Sequence, residues 1–135
     1  MVYLEDLSIE FSETKVGLNV LEKKDETIHF DLTLECEFLN FSHDYVWLEE
    51  DVDLVLKSIA NIKRNNLEQD IISVDSPGIA FSYEQYSHDK TIYFFTVSVD
   101  LGFITSNMGT DTLLSITLNT TLADFENWIR KGFNK

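Results

Sequence analysis

The chain has one cysteine, Cys36, among its 135 residues. No intrachain disulfide can form, so a hydrophobic core must hold the fold without covalent cross-links. Cys36 falls on an apolar strand face with no cationic activator beside it, and is expected to be a core thiol. Glycine is scarce and scattered: Gly17, Gly78, Gly102, Gly109 and Gly132 form no phosphate-cradling loop. No segment approaches the roughly 18 uninterrupted apolar residues that a membrane-spanning helix needs. The opening MVYLEDLSIEF carries acids where a secretory signal has a basic segment followed by an apolar one, so a cytoplasmic location is expected. The sequon Asn119-Thr120-Thr121 carries no weight in that setting.

Basic residues are also few. Ten Lys and Arg against 24 Asp and Glu leave a formal charge of −14. Nucleic acid and anionic lipid both demand a basic footprint, so neither is expected as a partner, and a basic protein is. The acidity is uneven: residues 1–53 hold 15 of the 24 acids and 3 of the 10 bases, a local charge of −12. Solubility alone does not require such a gradient.

What is present suffices for one domain spanning residues 1–135, with 44% hydrophobic and 13% aromatic residues. Leu7, Ile9 and Phe11 alternate with polar neighbours, as do Val16, Leu18 and Val20, which predicts two strands. Glu22 to Glu26 reads as a charged turn. Ile28, Phe30, Leu32, Leu34, Cys36 and Phe38 then form a long period-two run whose other face carries His29, Asp31, Thr33, Glu35 and Glu37. From Glu49 the period becomes helical: Val52, Val55, Leu56, Ile59 and Ile62 share a stripe. Glu49, Glu50 and Asp51 start it, Lys63 and Arg64 close it, as the helix dipole favours, and Asn65-Asn66 ends it.

Ile71 to Val74, Ile79 to Tyr83, Ile92 to Leu101 and Leu114 to Leu118 read as further strands, with Ser76-Pro77-Gly78, Tyr86 to Lys90 and Gly102 to Thr112 as turns and loop. Residues on both faces of Ile92 to Leu101 are aromatic or β-branched, which suggests a central strand covered on both sides. Thr120 or Thr121 caps a last helix with Leu122, Phe125, Trp128, Ile129 and Phe133 on one face. The order β-β-β-α-β-β-β-α predicts an α+β domain with a largely antiparallel sheet of six to seven strands and two helices on one face.

Two segments raise the question of chemistry. FSHDY and YSHDK each spell Ser, His and Asp, as Ser42-His43-Asp44 and Ser87-His88-Asp89. A hydrolytic triad needs its members to converge from separate parts of the chain, and neither serine lies in a G-x-S-x-G elbow, so both segments are expected to be polar turns. Asp51 and Asp53 lack the rest of an EF-hand, and His29, His43 and His88 lack zinc-ligand spacing. Paired carboxylates are everywhere in so acidic a chain, so Glu35 and Glu37 are weak evidence for glycosidase-type chemistry, which needs two groups facing each other across a substrate. Trp47 and Trp128 suit core or interface anchors better than cofactor stacking. No enzymatic activity, metal or cofactor is expected.

The succession WLEEDVDLVLKSIANI, PGIAFSY, TIYFFTVSVDL, LLSITLN and TLADFENWIRKGF resembles, over nearly the whole chain, the small bacterial immunity proteins of polymorphic and contact-dependent toxin systems, in particular the WapI immunity family. The resemblance implies a non-catalytic inhibitor that binds the C-terminal domain of a sister toxin. Such toxins are often nucleases with basic active sites, which an acidic inhibitor can occupy. The expected contact surface uses Asp31, Glu35, Glu37, Asp44, Glu49, Glu50, Asp51 and Asp53, with Tyr45 and Trp47 as aromatic anchors. An acidic cytoplasmic chaperone for a secreted effector is the alternative, and a small hydrolase a third.

Overall fold

The alternating hydrophobic pattern closes into two four-stranded antiparallel sheets in the computed structural model, which describes residues 1–7, 13–73, 78–86, 91–101 and 113–135. The first sheet orders β1 (Val2–Glu5), β2 (Lys15–Lys24), β3 (Thr27–Cys36) and β4 (Leu39–Leu48) as a meander. Helix α1 (Glu49–Asn65) follows without a loop. The second sheet is another meander of β5 (Gln69–Ser73), β6 (Ile79–Gln85), β7 (Ile92–Asp100) and β8 (Leu113–Thr121), and α2 (Leu122–Phe133) ends the chain. The α+β class, the antiparallel pairing and the two predicted helices are as the periodicity indicates.

Three details differ. Ser42-His43-Asp44 is not a turn: it lies within β4, whose ten residues pair with β3 from Thr27 opposite Leu48 to Cys36 opposite Leu39. With β4 the described strands number eight, and they divide into two sheets where one of six to seven strands was expected. The Glu22–Glu26 turn shrinks to Asp25-Glu26, where Asp25 takes a left-handed φ of 56°, because β2 continues to Lys24 past a bulge after Val20. Strand β7 buries one face more fully than the other: Phe95, Val97 and Val99 are buried, while Thr96 and Ser98 on the other face are half-buried and bond Thr117 and Ser115 of β8 at 2.8 and 2.7 Å. The predicted first strand lies mostly in residues 8–12, and Ser87-His88-Asp89, residues 74–77 and residues 102–112 fall outside the described residues as well.

Both helices begin and end for local reasons. Asp51 accepts from Leu48 N at 2.9 Å at the start of α1, and Asn66 closes it in the left-handed region at φ 49°. Thr121 Oγ1 accepts from Asp124 N at 3.1 Å to cap α2, and Asn134 ends that helix with φ 58°.

Helix α2 joins the two sheets. Its Phe133 stacks on Trp47 with centroids 5.7 Å apart and meets Phe30 edge-on at 5.0 Å, both from the first sheet. Its Phe125 lies 4.2 Å from Phe95 and 5.6 Å from Phe81, both from the second. Trp128 Nε1 donates to Val2 O at 3.0 Å. Gly132 lets the helix approach: a Cβ there would stand 2.1 Å from Leu18 Cδ2. The sheet edges also meet, since Leu7 N donates to Asn119 O at 3.0 Å. One apolar core therefore runs from Leu4 and Leu18 through Trp47 and Phe133 to Phe81 and Phe95. None of the described helices is long and apolar enough to cross a membrane.

Candidate functional site: the acidic face of the first sheet

Because side chains alternate along a strand, covering one face of the first sheet leaves the other open. Val16, Leu18, Ile28, Phe30, Leu32 and Leu34 point to the core. The opposite face is built of cross-strand rows: Glu5, Lys15, Glu35 and Asn40 in one, Tyr3, Gly17, Thr33 and Ser42 in the next, then Asn19, Asp31 and Asp44. Gly17 and Thr33 in its middle row are buried among their neighbours, Asp31 and Glu35 are half-buried, and Asn40, Ser42 and Asp44 are exposed.

The third row sets two like charges directly opposite each other, Asp31 on β3 and Asp44 on β4. Such a pairing disfavours the sheet. His29 relieves part of it, since its Nε2 donates to Asp44 Oδ2 at 2.8 Å, and this bond holds the Asp44 carboxyl below the usual carboxylate range. Toward the hairpin end, Lys15 pairs with Glu35 at 3.4 Å and lies 4.4 Å over the Tyr3 ring. Beside this pair opens a cleft of about 480 Å³, with Glu5, Asp6, Glu13, Glu35 and Cys36 on its walls. Cys36 is half-buried at this cleft and is not the enclosed core thiol expected of it.

The ten expected contact residues divide into four groups. Asp31, Glu35 and Asp44 share the open face. Glu37 does not continue it, because β3 stops at Cys36 and Glu37 sits exposed in the two-residue turn that follows. Tyr45 and Trp47 are corrected outright as anchors: they occupy the inward positions of β4 at 5% and 1% exposure and belong to the core. Burial pushes the Tyr45 phenol up to about 12, with the Asp44 charge adding to it. At the start of α1, Asp51 is buried in its capping bond. Glu49 is bridged by Lys135 and lies 3.9 Å from Lys23, and Asp53 is 3.3 Å from Lys135. Only Glu50 of that group is exposed without an ion pair among the described residues.

Ser42, His43 and Asp44 do not converge. Ser42 and Asp44 lie on the open face and His43 on the inner one, its ring edge-on to Tyr45 at 5.1 Å. Ser42 Oγ is 3.2 Å from Thr33 Oγ1, not from a histidine.

Glu5, Asp6, Glu13, His29 and Phe38 were not anticipated here. Glu5 follows the buried Leu4 in β1, and that alternation was the available signal. Phe38 continued the apolar period of β3, and no Gly, Pro or Asn marked the turn that exposes it. Comparison with known protein families, curated proteins and solved structures found no match.

Proposed function

We propose that this chain is an immunity protein: a non-catalytic, cytoplasmic inhibitor that binds the C-terminal domain of a cognate bacterial toxin through the open face of its first sheet. The observation that carries the reading is the opposition of Asp31 and Asp44 on an uncovered face. A like-charge pair that weakens the isolated sheet is relieved when a basic surface covers it, so the arrangement favours the bound state over the free one. A nuclease-type toxin fits, because a site that holds phosphates is basic, and carboxylates in the geometry of a sheet face can take the place of its substrate. The resemblance in strand and helix order points the same way.

The face that remains after Tyr45, Trp47 and Asp51 are assigned to the interior comprises Asp31, Glu35 and Asp44, with Glu37 at its rim. Its carboxylates speed encounter with a basic partner. Co-expression with the C-terminal domain of a large secreted protein encoded beside this chain is the test. Copurification and restored growth are expected. A toxic domain that neither copurifies nor is neutralised would remove the immunity reading.

A further inference from the structure

The hairpin from β3 to β4 turns on Glu37 and Phe38, with Cys36 directly opposite Leu39. Two-residue hairpins favour turns with positive φ, yet neither residue is in the left-handed region. Nothing in such a turn calls for an aromatic side chain. Phe38 is nevertheless 91% exposed, where Val46 on the same sheet reaches 60%. It stands at the end of a ten-residue antiparallel pair, so its backbone is held in place and little order is lost when the ring is buried by a partner.

The cleft beside this tip supplies the charge. Glu35 already holds Lys15, whereas Glu5, Glu13 and Glu37 have no ion pair among the described residues. Glu5 of β1, Glu13 before β2 and Glu35 of β3 thus line, together with Lys15 and with Leu39 and Asn40 of β4, a space large enough for a side chain, next to an aromatic ring in water. An inorganic cation would use the first feature and leave the second unexplained. A folded basic protein uses both.

We infer that the β3–β4 tip is the anchor of the complex: Phe38 enters an apolar pocket on a basic protein domain, and an arginine or lysine of that domain enters the cleft between Glu5, Glu13 and Glu35. This rests on the inhibitor reading above and names the contact within it. The anchored ring sets the dissociation rate and the cleft sets the association rate.

The test measures association and dissociation of the full chain with the C-terminal domain of the neighbouring secreted protein, recovered by denaturing the co-expressed complex and refolding. Phe38→Ala is expected to weaken binding by about 30-fold or more, chiefly through faster dissociation. Glu5→Lys with Glu13→Lys is expected to slow association by about tenfold at low salt and much less at high salt. Leu113→Ala, at a 59% exposed position on the other sheet, is the control and should leave binding within about twofold. Circular dichroism melts check that each variant is folded. Binding of the wild type with Phe38→Ala unchanged overturns the anchor and leaves the immunity function standing. Failure of the wild type to bind overturns both.

Discussion

Asp31 and Asp44 face each other across β3 and β4, and His29 reaches diagonally to Asp44 at 2.8 Å, so one member of a repelling pair carries its own hydrogen-bond donor. Removing the other member should help the free protein. Asp31→Asn is expected to raise unfolding free energy by about 0.5 kcal/mol in urea titration. The same change should slow association with a basic partner. A variant that is no more stable than wild type would mean that water already screens the pair.

The His29 bond makes a second prediction, about acid. Its effect lowers the Asp44 pKa in the folded state, so the associated stability is present above the ordinary carboxylate range and is lost as pH falls through the folded pKa. Asp44 is exposed, so the contribution is small and the titration itself is the better readout. Carboxyl NMR should place the Asp44 midpoint below that of an ordinary aspartate, and His29→Ala should move it back up. Glu126 follows the same sign on the other side of the molecule, where Lys63 of α1 and, at 3.3 Å, Arg130 lower its pKa. Glu126→Gln should reduce the loss of stability on acidification.

Tyr45 and Trp47 belong to the core, and their substitutions should behave so. Trp47→Ala is expected to cost about 3–5 kcal/mol. Tyr45→Phe should go the other way: its hydroxyl is buried with no hydrogen-bond partner among the described residues, so its removal is expected to stabilise by about 1 kcal/mol. The raised phenol pKa means that the stability tied to the neutral form is present below the ordinary tyrosine value and is lost as pH rises toward about 12. Absorbance titration of the phenolates should lose a step near pH 12 in Tyr45→Phe.

Helix ends were legible because their signals are local. Glu49 to Asp51, the Asn residues after Arg64 and the Thr before Leu122 act within a turn of where they stand. Strand β4 was not legible because polar letters at Ser42, His43 and Asp44 interrupt its pattern, although Phe41, His43, Tyr45 and Trp47 do alternate onto one face. Reading that period would have sent Tyr45 and Trp47 inward. The pairing of Glu49 and Asp53 with Lys135 depends on where the last helix lies, and no local pattern encodes it.

Gly132 shows the same limit from the side of packing. As one of five scattered glycines it signalled only the lack of a phosphate loop, yet it is where α2 presses on Leu18 of β2. Gly132→Ala would gain helix propensity of about 1 kcal/mol and lose more to the clash. A net destabilisation of about 1–2 kcal/mol is expected in chemical denaturation. A stabilised variant would show that Leu18 can turn aside.

Ser42 gives the last prediction, since its neighbours spell a triad that β4 pulls apart. Ser42→Ala removes one exposed hydroxyl and its contact with Thr33 at 3.2 Å, so a change of about 1 kcal/mol or less is expected. His43→Ala should cost somewhat more than Ser42→Ala, because the His43 ring packs edge-on against Tyr45 on the inner face. A nucleophile needs a base within about 3 Å, and the partner of Ser42 is a threonine hydroxyl. A serine-reactive phosphonate should therefore leave Ser42 unlabelled, as read by mass spectrometry of the intact chain and its peptides. Labelling at Ser42 that disappears in Ser42→Ala would give this strand a chemistry that its alternation argues against.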